Sequence, residues 1–376
     1  MEKRIYDEFL IQKLKTNKIF IVKGPKHSQK SRYLANVIER FSSVKIVNCE
    51  DKRNKPIFKN QDHSELQELF GNERFVILKE AQTLDNLQAI LENVLFDNAF
   101  SNSFVLSCSF DPVLVDELVE ALKLEDAIIS VYPPLFQELA NEKGVVQFDK
   151  ELDKRLIYGN YPQVLDSEHP ETELMAILDK TIFTNLNPTE RINKGDKLRK
   201  MLQYISFELG EPLSYNEIAE DAGLDNETVE RYVDLLERSF VLIRIPSFYN
   251  GNKYELKKTH TFYFLDNGVR NALIKNFNEL DLRVDIDKLW KNWLIAEKIK
   301  WNKQLKLNVT YYFWRTHTRQ HIDFIEVSDN QISAYKSLWD KRKKPKFPTS
   351  FKTYYPTASL HALNRATYWA FLTKKK

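Results

Sequence analysis

Residues 18–31 read KIFIVK-GPKHSQKS, and this stretch decides the predicted fold of the N-terminal part of the chain. A short β-branched and aromatic run ends at Gly24, and helical periodicity begins at Ser31. A strand, a loop and a helix in this order give meaning to the phosphate-loop pattern G-x-x-x-x-G-K-[ST]. The chain matches that pattern except at Gln29, which stands where the second glycine is expected.

The loop carries the groups that a nucleotide site needs. Backbone N–H groups and the helix N-terminus would cradle the phosphates, Lys30 would reach the β- and γ-phosphates, and Ser31 would bind Mg²⁺. Gln29 opposes binding, because a side chain crowds the place where the backbone approaches the ligand. The alternative is a strand–helix turn that binds no nucleotide. The predicted nucleotide-binding residues are Gly24, Lys26, Ser28, Lys30 and Ser31.

Strands and helices alternate along residues 1–150. That alternation predicts an α/β fold with a parallel sheet covered by helices on both faces. Residues 151–245 have helical periodicity, and strands return after residue 249. The five strands predicted in the first part span residues 18–23, 44–49, 74–78, 104–108 and 127–132.

The ends of the third and fourth predicted strands carry the candidate catalytic residues. Where two acids are expected after the third strand, the chain has Lys79 and Glu80. The first acid normally supports Mg²⁺, and a lysine in its place repels the metal. Glu80 stands where a water-activating base would lie, and Ser107 could serve as a polar sensor near the γ-phosphate. Glu80 and Ser107 are therefore the predicted catalytic residues.

Composition places the chain among ordinary globular proteins. The 376 residues are enough for two or three domains, and a net charge of +3 is too small to argue for nucleic acid by itself. Cys49 and Cys108 lack zinc or disulfide spacing and are expected to be buried free thiols. Charged residues follow Met1 directly and no apolar run approaches about 20 residues. We therefore expect no signal peptide, no membrane segment and a cytoplasmic protein.

Residues 213–232 have a helix-turn-helix pattern. Ala219 lets two helices cross closely, Gly223 supplies the turn, and Asn226 could cap the second helix. Residues 241–261 would form a wing. A helix that reads DNA presents Arg, Lys, Asn or Gln to base edges, but the second helix is net acidic. A structural or protein-contact winged helix is favoured, and a DNA reader stays open as the alternative.

The order of these motifs resembles the prokaryotic AAA+ superfamily ATPases that join a P-loop domain to a winged helix and a C-terminal restriction-endonuclease-like domain. Besides the loop, the resemblance includes YPPLF at residues 132–136, GNYP at 159–162 and FYFLDNG at 262–268. It implies ATP and Mg²⁺ as cofactors. It also implies domains at residues 1–150, 151–270 and 271–376. Three departures fall on chemistry, namely Gln29, Lys79, and Glu125 in place of an arginine.

The resemblance also implies a nuclease-like site near the C-terminus. Such sites use a core Glu, an Asp, and E-x-K on the next strand, with the acids holding Mg²⁺. The corresponding residues are Glu297, Asp323 and Lys336, but Ala334 replaces the acid of E-x-K. Asp323 and Lys336 are then expected to pair with each other. Glu326 cannot substitute if side chains alternate strictly along the strand, so we expect no nuclease activity.

The leading prediction is an ATP-binding, AAA+ ATPase-like protein with a degenerate nucleotide site and weak or absent hydrolysis. Two alternatives remain, a catalytically inactive interaction module and a DNA-binding protein or nuclease. The expected partners are a nucleotide and, less directly, another protein or DNA.

Overall fold

The computed structural model describes residues 7–96, 100–109, 119–120, 124, 127–184, 195–249, 255 and 259–373. The chain divides into two compact units, Met1–Pro133 and Pro134–Lys376. No helix among the described residues is long and apolar enough to span a membrane.

The first unit is built around a parallel sheet of five strands. Their order across the sheet is β2-β3-β4-β1-β5, so β2, β3 and β4 follow one another in the sheet while β1 lies between β4 and β5. The predicted α/β fold class with a parallel sheet is confirmed. The strands are β1 (Ile19–Lys23), β2 (Val44–Asn48), β3 (Phe75–Lys79), β4 (Ser103–Cys108) and β5 (Ile128–Ser130).

Apolar continuity explains why β1, β3 and β4 are central. Phe20, Ile21 and Val22 on β1 and Val76 to Leu78 on β3 are buried, as parallel strands covered on both faces require. Helices supply that cover. The described helices are α1 (Asp7–Thr16), α2 (Lys30–Ile38), α3 (Lys55–Asn60), α4 (His63–Phe70) and α5 (Leu87–Phe96).

The second unit begins with helices and contains a helix-turn-helix. Ser214 and Glu217 form a reciprocal capping box at the start of α11, and Gly223 ends that helix with φ of 64°. Asp225, not Asn226, caps α12, because its carboxylate accepts the N–H of Thr228. The helices are α6 (Phe136–Lys143), α7 (Val145–Tyr158), α8 (Pro162–Leu165), α9 (Pro170–Leu178), α10 (Gly195–Phe207), α11 (Tyr215–Ala222) and α12 (Asn226–Arg238).

Two further sheets lie in the second unit. A three-stranded antiparallel sheet, ordered β6-β8-β7, flanks the helix-turn-helix. A four-stranded sheet, ordered β12-β11-β10-β9, follows the long helix α14. The elements are β6 (Pro212–Leu213), β7 (Leu242–Pro246), β8 (His260–Phe264), α13 (Asn267–Leu273), α14 (Ile286–Gln304), β9 (Thr310–Arg315), β10 (His321–Ser328), β11 (Gln331–Ser337), α15 (Thr349–Tyr354), β12 (Ser359–Leu363) and α16 (Tyr368–Thr373).

A β-bulge changes which side chains of β10 share a face. The pairing with β9 shifts register between Ile322 and Ile325, so both isoleucines lie in one apolar cluster. Asp323 and Glu326 both contact α14 instead, through Lys291 and Asn302. The expectation that Asp323 and Glu326 lie on opposite faces is therefore wrong, since the extra residue of the bulge breaks the strict alternation.

Candidate functional site

The loop between β1 and α2 is held tightly against the sheet. The N–H of Gly24 donates to the carbonyl of Cys108 at 3.1 Å. A Cβ placed on Gly24 would lie 2.0 Å from the carbonyl oxygen of Val131. A side chain at residue 24 is thus excluded by close packing alone, whether or not a phosphate is bound.

Gln29 precedes α2 in a left-handed backbone conformation, with φ of 58° and ψ of 23°. Glycine adopts this conformation without steric cost, whereas other L-residues lose roughly 1 kcal/mol or more. The loop therefore keeps a backbone geometry that suits glycine while it carries a glutamine side chain.

Lys30 is the centre of a buried polar network. Its ammonium donates to the hydroxyl of Ser109 at 2.5 Å and to the carbonyl of Pro25 at 3.3 Å. Ser109 in turn donates to Glu80 at 2.7 Å, and Gln82 donates to the other carboxylate oxygen at 2.9 Å. Strand order explains the meeting, because β4 lies between β1 and β3 and delivers Ser109 to both. Side chains of the protein thus already form hydrogen bonds with both Lys30 and Glu80.

The electrostatics of this network leave the Lys30 charge incompletely balanced. Burial lowers the pKa of Lys30 to about 8, although the charge of Glu80 acts in the opposite direction. Burial alone would raise the pKa of Glu80, but Lys30 and the hydrogen bonds from Ser109 and Gln82 outweigh it, so that pKa lies below its ordinary value. Lys79 adds a positive charge that lowers the pKa of Lys30 further.

The remaining predicted residues of the loop also lie nearby. The hydroxyls of Ser31 and Ser107 are 2.9 Å apart, and Lys26 forms an ion pair with Glu50 at 2.8 Å. Ser28 is fully buried, and its hydroxyl meets no hydrogen-bond partner among the described residues. The structure thus brings all five predicted binding residues, Glu80 and Ser107 to one edge of the sheet; Glu125 lies outside the described residues.

Ser109 is the residue of this site that the sequence interpretation missed. Ser107 was preferred as the polar sensor, but it contacts Ser31, whereas Ser109 joins Lys30 to Glu80. The signal was present in the motif Ser-Cys-Ser, since residues two apart at a strand end point to the same side.

The helix-turn-helix presents an acidic surface. Glu227, Glu230 and Asp234 of α12 are exposed. Arg244 of β7 forms ion pairs at 2.8 Å with Asp234 and with Glu237. A nearby cation is thus already engaged by acids of the helix.

In the second unit the predicted nuclease-like residues are not gathered into one site. Glu297 is fully buried and accepts hydrogen bonds from the backbone N–H of Phe136 at 2.7 Å and from Asn160 at 3.1 Å, and it forms an ion pair with Lys300. These contacts join three segments of the unit. No group of three or more His, Cys, Asp or Glu side chains within the described part of the chain could hold a metal ion.

Asp323 is neutralised by a residue that the sequence interpretation did not name. Lys291 of α14 lies 3.0 Å from one carboxylate oxygen, and the N–H of Ser337 donates to the other at 2.9 Å. Lys336 instead donates to the carbonyl of His321 at 2.9 Å, so the expected Asp323–Lys336 ion pair is wrong. Burial would raise the pKa of Asp323, but the charge of Lys291 holds it well below its ordinary range.

Ala334 does not face this acid. It is fully buried in the apolar cluster formed with Trp314, Ile322, Ile325 and Phe351. A glutamate at residue 334 would therefore lie in this apolar cluster and not beside Asp323.

Two family models match the chain. Residues 16–140 match a family described as AAA domain, and residues 149–280 match a domain of unknown function, DUF8612. The N-terminal unit has an AAA-type, ATPase-like fold. The second match carries no statement of activity.

The chain is also similar to several known proteins. An uncharacterized protein of Haemophilus influenzae is 24% identical in an alignment over 291 residues that covers 72% of this chain and 72% of that protein. Among solved structures, a Walker-type ATPase of Pyrococcus abyssi has 12% identity and a TM-score of 0.47, covering 73% of this chain and 95% of its own. DnaA from Aquifex aeolicus, solved with AMPPCP, has 16% identity and a TM-score of 0.30, covering 62% of this chain and 87% of its own.

Proposed function

We propose that the N-terminal unit binds the phosphates of a nucleotide such as ATP in the loop at residues 24–31, with weak or absent hydrolysis. The observation that carries the proposal is the position of Lys30, whose buried ammonium lies at the N-terminus of α2 and is bonded to Ser109. A phosphate oxygen would replace the Ser109 hydroxyl as an acceptor of the Lys30 ammonium.

Binding is favoured because the site contains donors that the protein satisfies poorly. The first N–H groups of α2 have no acceptor within the helix and attract anions. The lowered pKa of Lys30 means that a phosphate would stabilise its charged form more than the present contacts do. The buried hydroxyl of Ser28, which meets no partner among the described residues, could donate to the same ligand.

The residues fit a phosphate better than they fit Mg²⁺. Ser31 could hold the ion through its hydroxyl, which now contacts Ser107. Among the described residues, Lys79 stands where the metal-supporting acid is expected, and Glu80 accepts hydrogen bonds from Ser109 and Gln82 instead. Mg²⁺ gives up its waters reluctantly and needs carboxylates or ligand phosphates to hold it. We therefore propose nucleotide binding that depends little on the metal, and turnover near background.

The test is nucleotide-dependent thermal stabilisation of the full chain by ATP, with and without Mg²⁺. Lys30→Met should abolish the shift, because it removes the cation that faces the phosphates. Lys59→Met removes the same charge from an exposed position on α3 and should leave the shift unchanged. Absence of any shift in the wild type at millimolar ATP would refute nucleotide binding, and Mg²⁺-dependent phosphate release lost in Lys30→Met would refute weak hydrolysis.

A second candidate function is that of an interaction module, and the acidic surface of α12 favours it. We propose that the segment at residues 151–270 is a winged helix that contacts protein, while residues 271–376 keep a restriction-endonuclease-like fold without activity. Phosphate contacts dominate DNA affinity, so the acids Glu227, Glu230 and Asp234 oppose it. Salt-dependent binding to duplex DNA, or DNA cleavage lost in Asp323→Ala, would favour the other alternative, a DNA-binding protein or nuclease.

A further inference from the structure

The second unit contains a polar cavity that Asp323, one of the predicted nuclease-like residues, helps to line. Its volume is about 190 Å³, and it lies between Gly210–Pro212 before the helix-turn-helix and the strands β9 and β10. A wider cleft of about 670 Å³ shares Glu211, Pro212, Arg315 and Arg319 with it. The smaller cavity and the wider cleft therefore adjoin each other at these four residues.

Two buried hydroxyls stand at the wall of the inner cavity. Thr261, which lines it, is 2% exposed, and Tyr263, two residues along β8 on the same face, is 1% exposed. Apart from each other, neither hydroxyl meets a hydrogen-bond partner in the part of the chain that the structure describes. A Cβ on Gly210 would lie 3.3 Å from the Tyr263 hydroxyl, which places that oxygen directly behind the cavity wall. Two hydroxyls paired only with each other leave hydrogen-bonding capacity unused in a buried place, so a ligand that accepts a hydrogen bond from Thr261 would be stabilised there.

The charged side chains of the cavity leave a surplus of cations. Lys291 and Arg315 are matched by Asp323 at 3.0 Å and by Glu211 at 2.8 Å. Arg319 also lines the cavity and forms no ion pair with any described residue. Its backbone has φ of 65° in the turn between β9 and β10, a conformation that costs an arginine energy. Arg319 is exposed at the cavity, where the lining cations Lys291, Arg315 and Arg319 outnumber the carboxylates Glu211 and Asp323 by three to two.

We propose that this cavity binds a phosphate-type oxyanion without a metal ion, with Arg319 as the principal cation and Thr261 as the hydroxyl donor, while Tyr263 lies behind Thr261 and supports its hydroxyl. A phosphate accepts several hydrogen bonds and prefers the fork of an arginine, which matches these groups. The Lys291 ammonium lies beside Asp323 and balances its negative charge, so no divalent cation is needed there. The site is independent of the nucleotide loop at residues 24–31.

The experiment is a calorimetric titration of the full chain with inorganic phosphate, in chloride buffer of matched ionic strength. Arg319→Gln should weaken binding by about 10- to 100-fold, because a charge-assisted hydrogen bond is lost. Arg342→Gln removes the same charge from an exposed loop position, 85% accessible at its side chain, and should leave binding unchanged. The loop at residues 24–31 is identical in both variants, so their difference isolates the cavity.

Two further measurements identify the molecule that carries the phosphate and test the cavity with a second variant. A short single-stranded oligonucleotide with a 5′-phosphate, compared with its 5′-hydroxyl form, tests whether the group comes on a nucleic-acid end; preference for inorganic phosphate points to a small molecule. Thr261→Val should weaken phosphate binding without loss of fold, since threonine and valine have similar shapes. Equal affinity of Arg319→Gln and Arg342→Gln, or no heat beyond the chloride control, would overturn the proposal.

Discussion

The loop at residues 24–31 and the surroundings of Asp323 each contain a largely buried lysine that faces a buried carboxylate, but the two pairs are built differently. Lys30 reaches Glu80 only through the hydroxyl of Ser109, whereas Lys291 contacts Asp323 directly at 3.0 Å. Burial lowers the pKa of Lys30 to about 8. Burial also acts to lower the pKa of Lys291, but Asp323 outweighs it and raises that pKa above its ordinary value.

This difference teaches which site can still accept a ligand. A lysine whose charge is under-compensated is stabilised by an incoming anion, so the first site keeps a reason to bind phosphate. A carboxylate already neutralised at close range gains little from a metal ion, so the second site has lost its reason to bind Mg²⁺. We therefore expect an anion to be bound near Lys30 and no Mg²⁺ to be bound at Asp323.

The largest expected effect comes from placing an acid at residue 334. Ala334→Glu should destabilise the second unit by at least about 4 kcal/mol, because the carboxylate would be buried without a partner among Trp314, Ile322 and Phe351. Urea unfolding followed by tryptophan fluorescence reports this unit alone, since all six tryptophans lie after residue 133. Gln331→Glu, an exposed position on the same strand, is the control. Mg²⁺-dependent DNA cleavage by a stably folded Ala334→Glu would contradict the assignment of Ala334 to the apolar face.

Breaking the direct ion pair should have the next largest effect. Asp323→Asn should lower the free energy of unfolding by about 3 kcal/mol, because the Lys291 ammonium loses its buried partner. Asp340→Asn breaks exposed ion pairs to Arg342 and Lys343 and should cost less than about 1 kcal/mol. The double variant Asp323→Asn/Lys291→Met should recover part of the loss. If the two single asparagine variants lower the free energy of unfolding equally in the same fluorescence assay, the largely buried Lys291–Asp323 pair stabilises the unit no more than an exposed ion pair does.

The under-compensated Lys30 should make nucleotide binding sensitive to pH. Its pKa of about 8 lies below the ordinary 10.5, so between these values the folded chain has released a proton that the unfolded chain retains. The free energy of unfolding of the first unit should therefore rise with pH across this window.

Nucleotide affinity should fall over the same range, by up to about tenfold per pH unit above 8, because the uncharged amine no longer attracts phosphate. Calorimetry at several pH values measures this, with Lys30→Met as the variant that should lose the dependence. Affinity that is flat from pH 7 to pH 10 would contradict the role of Lys30.

The smallest expected effect concerns the backbone of the loop. Gln29→Gly should change the free energy of unfolding by less than about 1 kcal/mol, since relief of the left-handed conformation is offset by greater freedom of the unfolded chain. It should strengthen nucleotide binding, and more so together with Lys79→Asp, because both changes act on one ligand.

Gln61 provides the matched control for this change, as a glutamine with φ of 53° at the end of α3 and outside the loop. Gln61→Gly should produce a similar backbone effect and leave nucleotide affinity unchanged. If both glycine variants shift affinity equally, crowding by the Gln29 side chain is not what weakens the site.

The sequence by itself determined the elements whose signals are local. Apolar runs followed by helical periodicity gave the alternation of the first unit, and the parallel sheet follows because such strands need crossover helices. The capping box of Ser214 and Glu217 and the turn at Gly223 marked the helix-turn-helix. The position of Lys30 between a strand and a helix likewise needed no tertiary information.

Only the tertiary structure decided which groups meet. Lys30 and Ser109 are 79 residues apart, and Phe136 and Glu297 are 161 apart, so no spacing rule links them. The bulge in β10 turned Asp323 toward Lys291 and left Ala334 in an apolar cluster, which alternation along a strand cannot foresee. A carboxylate binds the donors that folding brings close to it, and these donors come from neighbouring strands and helices rather than from nearby positions in the sequence.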